Sequence, residues 1–256
     1  MNKEIVLKSK FINFLLNTKT IGIYQFVTKL YKRATIKGKV NQYINSLQPG
    51  QELKVVFGGH WSNHPGWLML NESDQDITKK LNFTDASVQA IFTEHVIEHL
   101  ELTEAIHFIK ESHRVLKHGG VFRVVCPMLD TLIQTNLAGE KGKYEAKLLQ
   151  NTYSQEDQAL RDLGTQGVEE FVKIFLINDV FMHHGHKFIW TADLMVKVLQ
   201  AVGFRQVQIR NIGEGVKEDY CLERKCRSIY LGYNWQEDRQ MGFVNDSQSL
   251  AVEGIK

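Results

Sequence analysis

The strongest constraint in this chain is an alternation. Short β-rich runs, each closing on a glycine or a polar turn, are separated by stretches with helical spacing. Leu53–Phe57 (LKVVF) runs into Gly58-Gly59. Leu68–Leu70 is a second short apolar run. Val88–Phe92 (VQAIF) precedes Glu94–Leu116, where Ile97, Leu100, Ile106, Ile109 and Leu116 recur at helical intervals. His118-Gly119-Gly120 then marks a turn, and Val121–Cys126 (VFRVVC) a further buried strand. Strands that alternate with helices predict a parallel sheet covered on both faces, an α/β fold.

The length of 256 residues suits one sizeable core with room for an added element. Residues 130–182 read as mostly helical and polar, a helical insertion. Leu194–Val202 forms an amphipathic helix stopped by Gly203. Val207–Arg210 and Ser228–Tyr233 read as closing strands, and residues 236–256 as a polar C-terminal tail. Upstream, Pro49-Gly50 marks a boundary. The expected organisation is therefore an N-terminal extension, 1–48, a principal domain, 49–235, and the tail.

The extension is an electrostatic unit of its own. Residues 1–45 hold nine Lys/Arg and one acid, a net of +8, while the remainder carries a net of −6. Ile5, Phe11, Phe14 and Leu15 suit one apolar helix face, and Ile23, Val27, Leu30 and Tyr31 another. Three readings follow for residues 1–46: a solvated helical cap, peripheral contact with an anionic membrane surface, or a hold on an acidic substrate. No nucleic-acid-binding motif accompanies the charge, so nucleic acid is not expected as a partner. Three cysteines cannot build a disulfide framework, which points to a reducing, cytoplasmic setting. No apolar run reaches the length of a membrane span, and no leader peptide is expected.

In an open α/β sheet, ligands bind outside the carboxyl ends of the strands. That rule selects the loops Gly58–Trp67, Asn71–Asp76, Thr93–His99 and Pro127–Asp130. All four are polar. Adjacent glycines after the first strand allow a ligand to approach the backbone.

The stretch from Lys54 to Leu132 resembles the class I S-adenosylmethionine-dependent methyltransferases, particularly the bacterial type 11 group. The resemblance rests on the order of its segments. They are a strand ending in a Gly-rich turn, Pro65-Gly66-Trp67, Asp76-Ile77-Thr78 before Leu81-Asn82-Phe83, and Asp85 to Phe92. Glu94-His95-Val96-Ile97-Glu98-His99-Leu100 and Arg114-Val115-Leu116-Lys117-His118-Gly119-Gly120-Val121 complete the set. Gly185-His186-Lys187-Phe188 and Gly203-Phe204 extend it more loosely. It implies a Rossmann-like methyltransferase sheet with S-adenosylmethionine as cofactor.

The resemblance also implies roles. Gly58, Gly59 and His60 would pass under the methionine part of the cofactor. Asn71, with Glu72 beside it, would hold the ribose, and Asp76 the adenine amine. Glu94 and His95 would face the cofactor's amino acid moiety or the methyl acceptor. His95 and His186 are the candidate bases. Where the family has Gly and an acid, this chain has His60 and Asn71. That departure motivates an alternative, a methyltransferase-like binding module without catalysis. The acceptor is expected to be a small molecule or glycan, a sugar being one possibility.

Other motifs compete. His95-Val96-Ile97-Glu98-His99 spells H-x-x-E-H, a zinc-hydrolase spacing if it lies on a helix. Its position just after a strand favours a strand-to-helix turn instead, and no metal ligands are assigned. His183-His184-Gly185-His186 is a dense histidine cluster. Trp61, Trp67 and Trp190 are candidate pocket walls, although packing against the sheet is the simpler role for Trp67. Cys221 and Cys226 lack the spacing of a zinc site, and Cys126 is expected to be an inert core thiol.

Overall fold

The structure is a computed structural model in which residues 38–58, 64–223 and 249–256 are described. The chain divides into two units, 1–48 and 49–256. In the first, residues 38–46 are helical. The helices expected over 3–37, the Ser228–Tyr233 strand, Gly59, His60, Trp61 and Cys226 lie outside the described residues.

The second unit is built on six strands: β1 (Lys54–Phe57), β2 (Leu68–Leu70), β3 (Val88–Glu94), β4 (Leu116–Pro127), β5 (Arg205–Arg210) and β6 (Ser249–Ile255). Their spatial order is β2-β1-β3-β4-β6-β5. The first four are mutually parallel, with Val55 opposite both Leu68 and Ile91, and Phe92 opposite Arg123. Val55–Phe57, Ala90–Phe92 and Val124–Cys126 are buried apolar runs because both faces are covered.

Between β3 and β4 runs helix α1 (Leu102–Val115). The Glu101 amide donates to the Glu104 carboxylate at its start, 3.1 Å. Its face against the sheet is aromatic. Phe108 meets Phe57 and Phe122 edge-on, and Phe122 stacks on Phe204. Helix α6 (Ala192–Val202) packs beside α1. Thr191 caps its first turn, and Gly203, at φ +116°, ends it in the left-handed conformation that glycine adopts without strain. Between β4 and α6 lie α2 (Leu129–Gln134), α3 (Glu140–Thr152), α4 (Ser154–Asp162) and α5 (Val172–Met182). They enclose a small core of Leu132, Leu149, Tyr153, Val168, Leu176 and Val180.

Two expectations need correction. The sheet is mixed, not wholly parallel, because β6 runs antiparallel to both β4 and β5. And the polar tail expected from 236 ends in the sheet: Ser249–Ile255 is a buried strand between two others. Lys256 also exchanges backbone hydrogen bonds with Gly119 and Gly120. The His118-Gly119-Gly120 turn is thus a bulge within β4, with Val88 opposite Leu116 but Ala90 opposite Val121.

The reason for the misreading is Glu253. A carboxylate in a short run reads as solvent-facing, yet here it is 1% exposed. It lies opposite Arg123 of β4, which is equally buried. The guanidinium donates to Glu253 Oε1 at 2.9 Å, to both oxygens of buried Glu223 and to the Glu214 carbonyl at 2.8 Å. The carboxylates also accept from the Gly213 and Val216 amides, at 2.7 and 2.9 Å. Burial alone would weaken Arg123 as a base. The hydrogen bond and charge of Glu223, with Glu253, outweigh it and hold the guanidinium protonated more firmly than usual.

Arg123→Met leaves buried Glu223 without its cation and leaves buried Glu253 only Arg210, whose Nε lies 3.7 Å from Glu253 Oε2. It should lower unfolding free energy by about 3–5 kcal/mol, read as a fall in the urea midpoint, with Arg123→Lys recovering only part. A loss no larger than that of an exposed-site control would mean that the network does not hold β6 in place.

Candidate active site

Four parallel strands point their carboxyl ends to one side, and the turns there carry most of the residues singled out above. At the end of β1, Gly58 has φ +85°. A Cβ there would overlap the Val96 side chain, so the turn after β1 is packed directly on the turn after β3. The Gly58 amide donates to Leu70 O of β2, 2.9 Å. The ends of three adjacent strands therefore meet in one place.

The turn after β3 departs from the continuous helix expected over Glu94–Leu116. β3 persists through Glu94, and the His95 amide extends its ladder by donating to Val125 O of β4, 3.0 Å. His95 itself takes φ +51°, uncommon for a residue with a side chain and often met at functional sites. A single 3-10 turn, Ile97–His99, follows before α1 begins. H-x-x-E-H thus straddles a strand end and a 3-10 turn. Its histidines do not share the helix face that the zinc-hydrolase spacing requires.

The result is a different constellation. His95 Nδ1 lies 3.0 Å from Glu98 Oε1, with the His95 side chain 35% exposed and that of Glu98 at 0%. A carboxylate accepts only, so Nδ1–H donates and the basic lone pair of the imidazole sits on Nε2. His99 turns the other way, its ring 4.8 Å from that of His186. His186 Nδ1 donates to Val180 O at 2.5 Å. Burial pulls the His186 pKa below its ordinary value, only partly opposed by that hydrogen bond and by the negative charge of Glu98. The Lys187 and Phe188 amides both donate to Glu98 O, at 2.8 and 3.1 Å, and tie the histidine loop to the β3 turn.

Residues 63–124 match the family model of the methyltransferase domain. The match takes in β2, β3, α1 and most of β4, and with them the turn that carries His95 and Glu98. The chain aligns with a SAM-dependent methyltransferase from Archaeoglobus fulgidus at 11% identity over 88% of this chain and 94% of that one, TM-score 0.43. A SAM-dependent methyltransferase from Thermotoga maritima, a possible histamine N-methyltransferase, aligns at 13% identity over 93% and 97%, TM-score 0.39. A putative methyltransferase from Bacillus halodurans aligns at 14% over 87% and 93%, TM-score 0.36. No curated protein sequence matches the chain.

The structure brings Gly58, Glu94, His95 and His186 to the turns at the β3 end or beside them. Gly58, Asn71 and Glu94 stand at the ends of adjacent strands, and the buried Thr93 hydroxyl has no hydrogen-bond partner among the described residues. Those ends fit a nucleoside-bearing cofactor. Asn71 offers less than a strand-end acid. Its side-chain oxygen already accepts from the Ser73 amide and hydroxyl and the Asp74 amide, which closes its own loop. Glu72 is exposed on that loop. Asp76 is exposed too, and its Oδ1 accepts from the Thr78 amide and hydroxyl at 3.0 and 2.6 Å.

Trp67 is buried, with its ring against Tyr220 and Lys54 Nζ over its face. Trp190 is buried against Phe188. Burial pushes the Cys126 thiol well up, aided by the negative charge of Glu98, so it stays protonated. His183 and His184 are taken up by Asp179, at 2.9 and 3.1 Å. Sequence reasoning did not place Glu98 in the methyltransferase site. Glu98 appeared only as a member of the Glu94–Leu100 segment and of the H-x-x-E-H spacing, and the latter pointed to another chemistry.

Gly58→Ala should disrupt this corner in two ways: φ strain of about 1–3 kcal/mol, and overlap with Val96. The double variant Gly58→Ala/Val96→Ala removes the overlap and should regain part of the lost stability in urea titrations. A double variant as unstable as the two single losses added together would show that the turns do not pack on each other.

Proposed function

We propose that this chain is an S-adenosylmethionine-dependent methyltransferase that methylates a hydroxyl group of a small-molecule or glycan acceptor, with His95 as general base. S-adenosylmethionine, when bound, supplies a methyl group already activated on a sulfonium. The protein's own contribution is to place the acceptor in line and to take its proton.

The observation that carries this reading is the His95–Glu98 pair. A histidine held in a left-handed conformation at the end of β3 hydrogen-bonds a fully buried carboxylate. Glu98 orients the ring and sets the tautomer that keeps Nε2 basic. Acceptors that need no proton removed would gain little from such a pair. A sugar hydroxyl, far from acidic at neutral pH, needs it most.

The basic residues of 1–46 are proposed to bring the chain to an anionic surface on which such acceptors are presented. Their +8 imbalance over 1–45 supports this, as each basic group near such a surface adds about 1 kcal/mol. Among the described residues no helix is long and apolar enough to cross a membrane.

The test uses the full chain. S-adenosylhomocysteine binding is measured by calorimetry, and methyl transfer by its release against a panel of sugars and nucleotide sugars. His95→Gln should keep S-adenosylhomocysteine affinity within about threefold and lose about 10²–10⁴ in turnover, the usual worth of a general base. Turnover unchanged in that variant would remove His95 from the chemistry. Cofactor bound with no turnover on any hydroxyl acceptor would favour the binding-module alternative.

A further inference from the structure

Among the described residues, one group of His, Cys, Asp and Glu side chains is arranged as a metal site: Glu98, His99 and His186. One potential ligand atom from each lies within 4.8 Å of the others. Tetrahedral bonds of about 2.1 Å would set such atoms about 3.4 Å apart, so small side-chain rotations close the site.

Three further observations point to a ligand. First, Glu98 is fully buried, and while Oε1 accepts from His95, Oε2 has no hydrogen-bond partner among the described residues. An uncompensated buried carboxylate oxygen is costly, and a cation would relieve it. Second, His186 donates Nδ1–H to the Val180 carbonyl, which leaves its Nε2 lone pair for a ligand bond. A metal-binding histidine is commonly held in this way. Third, the two ligand-bearing segments are pinned together by the Lys187 and Phe188 amides on Glu98 O.

We propose that Glu98, His99 and His186 bind one divalent first-row transition cation, zinc by preference. Two imidazoles and one carboxylate suit zinc, cobalt or iron(II) far better than magnesium or calcium, which prefer all-oxygen sets. Three protein ligands leave a coordination position open. The set takes only Glu98 and His99 from H-x-x-E-H. The third ligand comes from the histidine loop 87 residues further along the chain. His95 serves as the partner that holds the carboxylate of Glu98. The proposal goes beyond the methyl-transfer reading and does not depend on it.

The full chain, stripped with chelator and dialysed, is titrated with Co²⁺ and followed by visible d–d absorption, and with Zn²⁺ by calorimetry. One equivalent should bind with bands of a four- or five-coordinate site. His99→Ala and His186→Ala, both at partly exposed positions, should each weaken binding at least tenfold while keeping the wild-type circular dichroism. His184→Ala should bind like wild type. Absence of stoichiometric binding overturns the proposal. So does binding that survives both His99→Ala and His186→Ala, or that is lost in His184→Ala, which would put the metal at Asp179. S-adenosylhomocysteine affinity, measured on the same stripped samples, separates failure of the metal site from failure of the methyl-transfer reading.

Discussion

Arg123 holds the sheet together. It stands on β4, the last of the parallel strands, and without β6 that strand would be an edge with open backbone groups. Its guanidinium reaches Glu253 on β6 and Glu223 and Glu214 on the segment that covers this face. Three ionised groups are taken out of water together, and each makes sense only with the others in place. The ladder from Val121–Ile255 to Pro127–Ser249 and the antiparallel return to β5 follow from it. A short, partly charged segment is thereby drawn into the sheet between β4 and β5.

With the sheet closed on that side, its parallel half delivers the functional turns. Val96 packs on Gly58, so the end of β1 and the turn after β3 are placed as one body. His95 continues the β-ladder through its backbone while its side chain turns to Glu98. Strain in the left-handed residue is the local cost of that geometry, and it falls where the chemistry is proposed. The buried carboxylate then links two neighbours, His95 on one side and the His99–His186 pair on the other.

The helical insertion has its own small core, which explains how it interrupts the α/β alternation without disturbing the sheet. It is anchored at both ends. Leu129 pairs with Trp190 O as α2 starts, and Asp130 accepts from the Ala192 amide at the start of α6. The histidine loop lies just before that second anchor and is set by it and by Glu98 O.

The sequence by itself determined the α/β character, the positions of β1 to β4 within a few residues, the helices on either side and the Gly203 stop. Buried parallel strands are continuous apolar runs, and amphipathic helices carry their period locally, so no distant residue is needed to see them. It also located the turns at the carboxyl ends of the parallel strands, since strand ends follow once the strands are known. Tertiary structure alone decided the rest. Glu253 is buried because Arg123 lies opposite it, 130 residues away in the chain. Glu94–Leu116 breaks into a strand end, a left-handed histidine and a 3-10 turn because Val125 of β4 captures the His95 amide. Glu98 and His186 become neighbours because two amides of a distant loop bond Glu98 O. Each of these is a long-range pairing of polar groups. Local propensity and hydrophobic period carry no trace of such a partner until the chain has folded.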